Sequence, residues 1–329
     1  MATSTRASAT ARGEAVRAPE VIRPAGPGGE VAAALADLRH TRRTEWRRLW
    51  FRFRQSTLSL VGLGIVLAVV LAAVFAPVLA PYPGHAGSVV DFDRALQPPS
   101  VRNLLGTDDA GRDILSRILF GARISVTLGV VVLAIAVAVG VPLGLVAGYR
   151  GGAVGNLIMR VTDVFLAVPP IALALAVTAA LRPNLTNAMV AIAFAWWPWY
   201  TRLVYGQVLS LREAPFVEAA RGLGAGPWRI AVREILPNAW SPIIVKATLD
   251  LGFVILTASG LSFLGLGAQA PTPEWGTMIA EGRGYLPGAW WAATFPGLAI
   301  FLTVLGFNLL GDGLRDVFDV EIEHWRAGS

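Results

Sequence analysis

The stretch "EAARGLGAGPWRIAVREILPN", Glu218 to Asn238, is polar, punctuated by glycine and proline, and set between two long apolar runs. Pro215 pre-sets φ for a first helical turn, and "FVEAARGL" continues with good helix formers until Gly224 and Gly226 interrupt it. Pro227 opens a second short helix, "WRIAVREIL", and Pro237 with Asn238 turns the chain toward the next apolar run at Pro242. The reading is a helical hairpin. Ala219, Ala220 and Gly224 carry almost no side chain, so another surface can approach the backbone there, while Glu218 and Arg221 supply orienting charge. Helix–helix connections commonly need about 2–8 residues, and long ordered-looking connections are usually functional; this segment has the form of a docking element.

Composition explains what the hairpin interrupts. Of 329 residues, 54% are hydrophobic and only 15% charged, with a mean hydropathy of +0.57, more apolar surface than a soluble core of this length normally needs. The chain reads as a polytopic, all-α membrane protein. It has no cysteine, so neither a disulfide framework nor a thiolate metal site is available. Its histidines, His40, His85 and His324, lie far apart and outside the apolar runs, which argues against a histidine metal cluster. The net charge of +6 is concentrated before the first apolar run, as expected of a membrane flank rather than a nucleic-acid surface.

A membrane-crossing helix needs about 20 mostly apolar residues. Six stretches qualify: Leu58 to Leu79, Ile124 to Gly148, Leu157 to Leu181, Asn187 to Leu209, Pro242 to Leu264 and Ala292 to Leu310. The first is too long for the apolar core of a signal peptide, about 7 to 15 residues, and is read as an uncleaved helix. Seven arginines from Arg39 to Arg54 precede it, so the positive-inside rule places the N-terminus in the cytoplasm, six crossings return the C-terminus there, and the hairpin falls on the same side. The expected organisation is a cytoplasmic tail over residues 1–57, disordered and then amphipathic, and a six-span domain over 58–314. Within that domain lie the hairpin, 213–238, and outer loops at 81–123 and 266–291; a cytoplasmic tail covers 315–329.

Several charged positions admit two readings. Lys246 and Asp250, four apart on the fifth span, can pair and ease entry into the membrane edge, a structural role favoured over one in ion transport. Arg160 and Asp163 near the start of the third span can likewise pair, or help orient the hairpin. Asp108, Asp109, Arg112 and Asp113 stand at the start of an expected interfacial helix, where acids favour the helix dipole or serve as an outer docking site. "PTPEWGTMIAEGR", Pro271 to Arg283, has the form of a re-entrant helix, and Trp196, Trp197, Trp199, Trp290 and Trp291 read mostly as interface anchors or packing.

At the hairpin the residues carry a resemblance. "EAARGLG", followed after ten residues by "ILPN", resembles the EAA signature of permease subunits of bacterial ABC importers, with Glu234 where the pattern prefers isoleucine. "LLGTDDAGRDILSRILFGARISV", "MRVTDVFLAVPP", "GQVLSLREAPFVEAARGLGA", "LSFLGLGAQAPTPEWGTMIAEGR" and "FNLLGDGLRD" are similar, in order, to the C-type permease of dipeptide and oligopeptide importers; nickel and glutathione importers share much of this pattern.

The resemblance implies a type I ABC importer permease fold in the bacterial plasma (inner) membrane. It implies a transport subunit, not an enzyme, with a homologous second permease, two ABC ATPase subunits and an extracytoplasmic substrate-binding protein as partners. Glu218, Ala219, Ala220, Arg221, Gly224, Leu236 and Pro237 would form the coupling element that sits in a groove of the ATPase. The chain has no G-x-x-x-x-G-K-[ST] phosphate loop, since its single lysine, Lys246, follows no such glycines, so ATP and Mg are expected at the partner ATPases and no cofactor on this chain. The rivals are a proton-coupled carrier, which would place acidic or histidine relays near the bilayer midplane, and an intramembrane enzyme, for which the spans supply no suitable metal or nucleophile set.

Overall fold

The computed structural model describes residues 50–51 and 53–327, with side-chain surroundings up to residue 318. The expected N-terminal tail and nearly all of the amphipathic segment after it lie outside the described residues. Helices dominate: α1 (Thr57–Leu79), α2 (Ile114–Arg150), α3 (Gly152–Leu166), α4 (Pro170–Ala180), α5 (Leu185–Leu211), α6 (Pro215–Gly222), α7 (Trp240–Phe263), α8 (Trp275–Gly282) and α9 (Trp291–Ala327). No strand occurs among the described residues, only an isolated bridge between Thr107 and Asp113.

Each apolar stretch of the sequence coincides with helix, but their lengths and continuity differ from expectation. α1, α2, α7 and the Trp291–Phe318 part of α9 are each long and apolar enough to cross a membrane. The third stretch is broken: α3 and α4 are bent by 85° at a short break, and only the pair taken together is long and apolar enough to cross a membrane. Pro169 and Pro170 explain the break, because proline lacks the donor for the preceding turn and drives the residue before it away from helical geometry. α5 has 27 residues, ample for a crossing, although Trp196, Trp197, Pro198, Trp199, Tyr200 and Arg202 lower its hydropathy.

α2 is a single helix of 37 residues, about 55 Å at 1.5 Å per residue. The separate interfacial helix expected around Asp108 is not formed. Those residues make turns, and the helix starts at Ile114 because the Asp113 carboxylate caps it, accepting from the Ser116 amide at 2.8 Å. α2 packs most extensively on α5. Gly140, Gly144 and Gly148 form one stripe at the contact: a Cβ on either of the first two would lie 2.6 Å from a carbonyl oxygen of α5, that of Trp197 or of Thr201. The missing side chains let the two backbones meet, and the Thr201 hydroxyl then donates to the Gly140 carbonyl at 3.2 Å.

Two apolar cores result. One lies between α2, α5 and α7 and extends under the hairpin through Val217, Ile230, Ala231 and Ile235. The other joins α1, the start of α2, α8 and α9 around Ile114, Trp275 and Trp291. Because α2 spans both, it ties the loop end, residues 81–113 with α8, to the hairpin end. α9 runs unbroken through Ala327, into the segment expected as a C-terminal tail.

Candidate functional site

The hairpin is asymmetric. Its first arm is α6, with Pro215 at the first helical position as the sequence suggests. The second arm is not the α-helix expected: a single turn, Pro227–Arg229, passes into a π-helical segment, Ile230–Ile235, before Leu236–Asn238. Pro237 supplies the cause, since it offers no N–H to the Arg233 carbonyl and its ring presses on that carbonyl, which the wider π turn relieves. One face of the hairpin is fully buried through Val217, Ile230, Ala231 and Ile235, which fixes it to the spans. Arg212 tightens the base by donating to the Gly148 carbonyl at the end of α2, 3.2 Å away, and Arg221 donates to the Arg212 carbonyl at 3.3 Å.

The opposite face carries the sequence-predicted residues. Glu218, Ala219, Arg221, Gly224 and Pro237 are exposed, while Ala220 and Leu236 are half-buried against the core. Gly224 has φ +80°, a conformation that side chains disfavour, so glycine is required by the turn itself. Around Gly222, Gly224 and Gly226 nothing lies within 4 Å of an added Cβ. Sequence reasoning missed the two most telling residues here: Leu223 is 89% exposed and Trp228 68%. Their signal was a large apolar side chain on each side of the glycine turn. Two such groups beside open glycines form a small apolar contact surface of the kind that marks interaction sites. Trp228 also borders a cavity of about 280 Å³ against Leu145, Tyr149 and Arg150 at the end of α2.

The charged pairs resolve differently from one another. Lys246 Nζ donates to Asp250 Oδ1 at 3.0 Å, the i, i+4 pairing expected. Asp163 pairs instead with Arg202 on α5, not with Arg160, so it joins two spans rather than closing one turn of its own helix. Sequence alone gives the neighbour along a helix, whereas Arg202 becomes a neighbour only through the α3–α5 packing.

At the loop end the expected docking group is mostly turned inward. Asp108 Oδ2 meets Arg112 Nε at 2.7 Å and Arg117 Nε at 3.3 Å, and Asp108 also accepts from the Ala110 and Arg112 amides. Arg117, fully buried, reaches Glu281 of α8 at 3.3 Å, and Arg112 reaches the same oxygen at 3.4 Å. Asp113 accepts from Asn103 and Ser116, and its own amide donates to His85 Nδ1 at 2.8 Å. Asp108, Arg112 and Asp113 therefore brace the loop against α2 and α8; of the four, only Asp109 stays half-exposed. Carboxylate oxygens of Asp108, Asp109 and Glu281 converge within 4.8 Å, but the two guanidiniums occupy the role a cation would have, and the group is an ion-pair network. Burial pushes the Glu281 carboxyl above the ordinary carboxylate range, opposed by Arg117 and Arg112. α8 is pinned at its other end by Glu274, 1% exposed, which accepts from the Thr277 amide at 3.0 Å and from Ser259 of α7 at 3.2 Å. Trp275 adds a hydrogen bond to the Ile118 carbonyl of α2 at 3.0 Å.

A bundle of apolar helices long enough to cross a membrane, with one connecting hairpin packed on one face and bare on the other, defines a multi-pass helical membrane protein. Residues 140–324 match the sequence family described as binding-protein-dependent transport system inner membrane component, and the chain belongs to that family. Residues 44–99 match the N-terminal TM domain of oligopeptide transport permease C.

The dipeptide transport system permease protein DppC of Alkalihalophilus pseudofirmus is 45% identical over 284 residues, covering 86% of this chain and 92% of that protein. The probable D,D-dipeptide transport system permease protein DdpC of Escherichia coli is 46% identical over 235 residues, covering 71% and 79%. The glutathione transport system permease protein GsiD of Pectobacterium atrosepticum is 45% identical over 282 residues, covering 85% and 93%. Among solved structures, an inward-facing form of the MetNI methionine ABC transporter aligns with a TM-score of 0.51 at 19% identity, over 62% of this chain and 97% of that one, a likeness of fold. The chain is thus a multi-pass inner-membrane permease subunit of an ABC importer, a transport component rather than an enzyme.

Proposed function

We propose that this chain forms half of the translocation pathway of an ATP-driven importer of short peptides. In this reading it pairs with a homologous second permease, receives substrate from an extracytoplasmic binding protein, and is moved by two ATPase subunits that hold ATP and Mg. Both termini and the hairpin face the cytoplasm, in keeping with the arginines before α1. The hairpin carries the reading: its Glu218 to Pro237 face is open, its Leu223 and Trp228 side chains are apolar and exposed, and its other face is locked to α2 and α5. A rigid body so held transmits a push from the ATPase to α5 and α7, the spans it joins. The Asp163–Arg202 pair serves the same movement by fixing α3 to α5, and Arg160, exposed on the same helix, is a further candidate for coupling. At the loop end Asp109 is the remaining candidate contact for the binding protein. The relatives' names support peptides, with glutathione as the second reading because GsiD proteins match equally well.

The test is purification of the chain from its native membrane in mild detergent, with the co-purifying proteins sequenced. Gly222→Asp and Gly224→Asp are run beside the wild type; the former adds bulk and charge without the backbone strain of the latter, whose φ is +80°. The wild type is expected to bring down a Walker-bearing ATPase and a second permease, and both variants to lose the ATPase alone. Retention of the ATPase by both variants removes the hairpin from coupling, and recovery of the chain by itself removes the partner assignments.

A further inference from the structure

Beside the first turns of α7 lies a cavity of about 420 Å³, within the size range of small-molecule pockets, about 300–1,000 Å³. Its walls are apolar at Val245, Leu249, Phe253 and Phe318 and charged at Lys246, Arg315 and Asp250, two cations against one carboxylate. Ionisable side chains on spanning helices characteristically face a water-filled cavity or the bundle interior, and here both kinds of surface meet.

Lys246, the single lysine of the chain, is held in a built setting. Its Nζ donates to Asp250 Oδ1 at 3.0 Å and lies 5.5 Å from the centre of the Trp199 ring and 5.8 Å from that of Tyr200. An ammonium has three N–H donors, and among the described residues only Asp250 accepts one of them. The Lys246 side chain is 27% exposed and borders the cavity, and Asp250, nine-tenths buried, lines the same wall beside it. Aromatic faces and a carboxylate fix the ammonium's direction without exhausting its donors. What such a group takes up from a cavity is an anionic oxygen.

We propose that Lys246, oriented by Asp250 and framed by Trp199 and Tyr200, binds the terminal carboxylate of the transported peptide in this cavity. The inference rests on the peptide reading above. The substrates named for the relatives, dipeptides, D,D-dipeptides, di/tripeptides and glutathione, share a free terminal carboxylate while their side chains differ. A cation recognising that carboxylate, with apolar walls tolerant of side chains, suits such a set. Arg315, on α9, borders the same space from the other side. Asp250 is a positioning residue.

The experiment compares uptake of a labelled dipeptide and of its C-terminal amide in cells where the complete importer is the sole route. Wild type, Lys246→Gln and Lys246→Arg are each tested. Binding protein and ATPases are identical in all strains, so a change in the acid-to-amide uptake ratio belongs to this residue. Loss of a charge-assisted hydrogen bond predicts that Lys246→Gln lowers that ratio about tenfold or more, with amide uptake nearly unchanged, and that Lys246→Arg restores most of it. An unchanged ratio in Lys246→Gln overturns the inference while leaving the peptide reading intact. An equal fall for acid and amide overturns it too, marking Lys246 as structural or bound to a lipid headgroup. Wild-type cells that take up neither compound overturn the peptide reading itself, and this assignment with it.

Discussion

The two ends of α2 use charge in opposite ways. At the loop end Asp108, Arg112, Arg117 and Glu281 are spent on one another, with Arg117 wholly inside the protein. At the hairpin end Glu218, Arg229 and Arg233 stand exposed or nearly so around Leu223 and Trp228, and the buried contacts are apolar. Charges locked into an internal network stiffen a structure, whereas exposed charges beside bare glycines and apolar tips remain available to another protein. The difference teaches where charge is consumed within this chain: the loop end is internally braced, and the hairpin end leaves its outer face uncovered.

The most severe way to break this contrast is Arg117→Ala. It leaves Asp108 and Glu281 to share Arg112 as their one buried counter-charge, and removing one member of a buried ion-pair group costs about 3 kcal/mol. A marked fall in the thermal midpoint of the detergent-solubilised protein is expected. A midpoint within error of wild type would mean that the network braces nothing.

Next in size is Gly144→Val, which tests the α2–α5 stripe that connects the two ends. The added Cβ would lie 2.6 Å from the Thr201 carbonyl and 2.8 Å from Val204 Cβ, so the backbones must separate, at a cost of about 1–3 kcal/mol. The same midpoint measurement reports it. If stability is unchanged, the close approach is not needed for the fold.

The hairpin should behave in reverse. Leu223→Ser with Trp228→Ser removes two exposed side chains, so stability should stay within about 0.5 kcal/mol of wild type. Co-purification of the ATPase should nonetheless fall sharply. A large drop in thermal midpoint with the ATPase still bound would invert the comparison, making the hairpin tip a structural element of this chain.

How far these contrasts were legible in sequence depends on their range. Apolar length gave helix at all six stretches, four of them long and apolar enough to cross a membrane, and Pro215 and Gly224 gave the first arm and turn of the hairpin, because these are local properties. The Lys246–Asp250 pair was readable for the same reason: four residues is one helical turn. The bend at Pro169 and Pro170 was local too, but it lay between two apolar halves of one run, and hydropathy records composition rather than geometry. Arg117 and Glu281 are 164 residues apart, and Asp163 and Arg202 are 39 apart, so neither pairing had a periodicity to betray it. Asp108, Arg112 and Asp113 read as surface groups for want of those distant partners. Leu223 and Trp228 are a different omission: their exposure is decided by which face of the hairpin the spans cover, and that too is tertiary.

The smallest expected effect sharpens the loop end with pH. Burial raises the Glu281 carboxyl, with Arg117 and Arg112 pulling against it, so the folded protein holds this proton more tightly than the unfolded chain does. Between the ordinary carboxylate range and the raised folded value, the native state therefore binds more protons than the unfolded one. Stability from this group must decline as pH rises through that window. Other carboxylates, favoured by their partners when charged, tilt the curve the opposite way, so the contribution is read as the difference between wild type and Glu281→Gln. Thermal midpoints measured from pH 4 to 7 should show the variant gaining on wild type as pH rises, by a modest amount because Arg112 and Arg117 still favour the charged form. A constant offset across the range would mean that the arginines fully offset burial, so that Glu281 binds its proton equally well in the folded and unfolded chain.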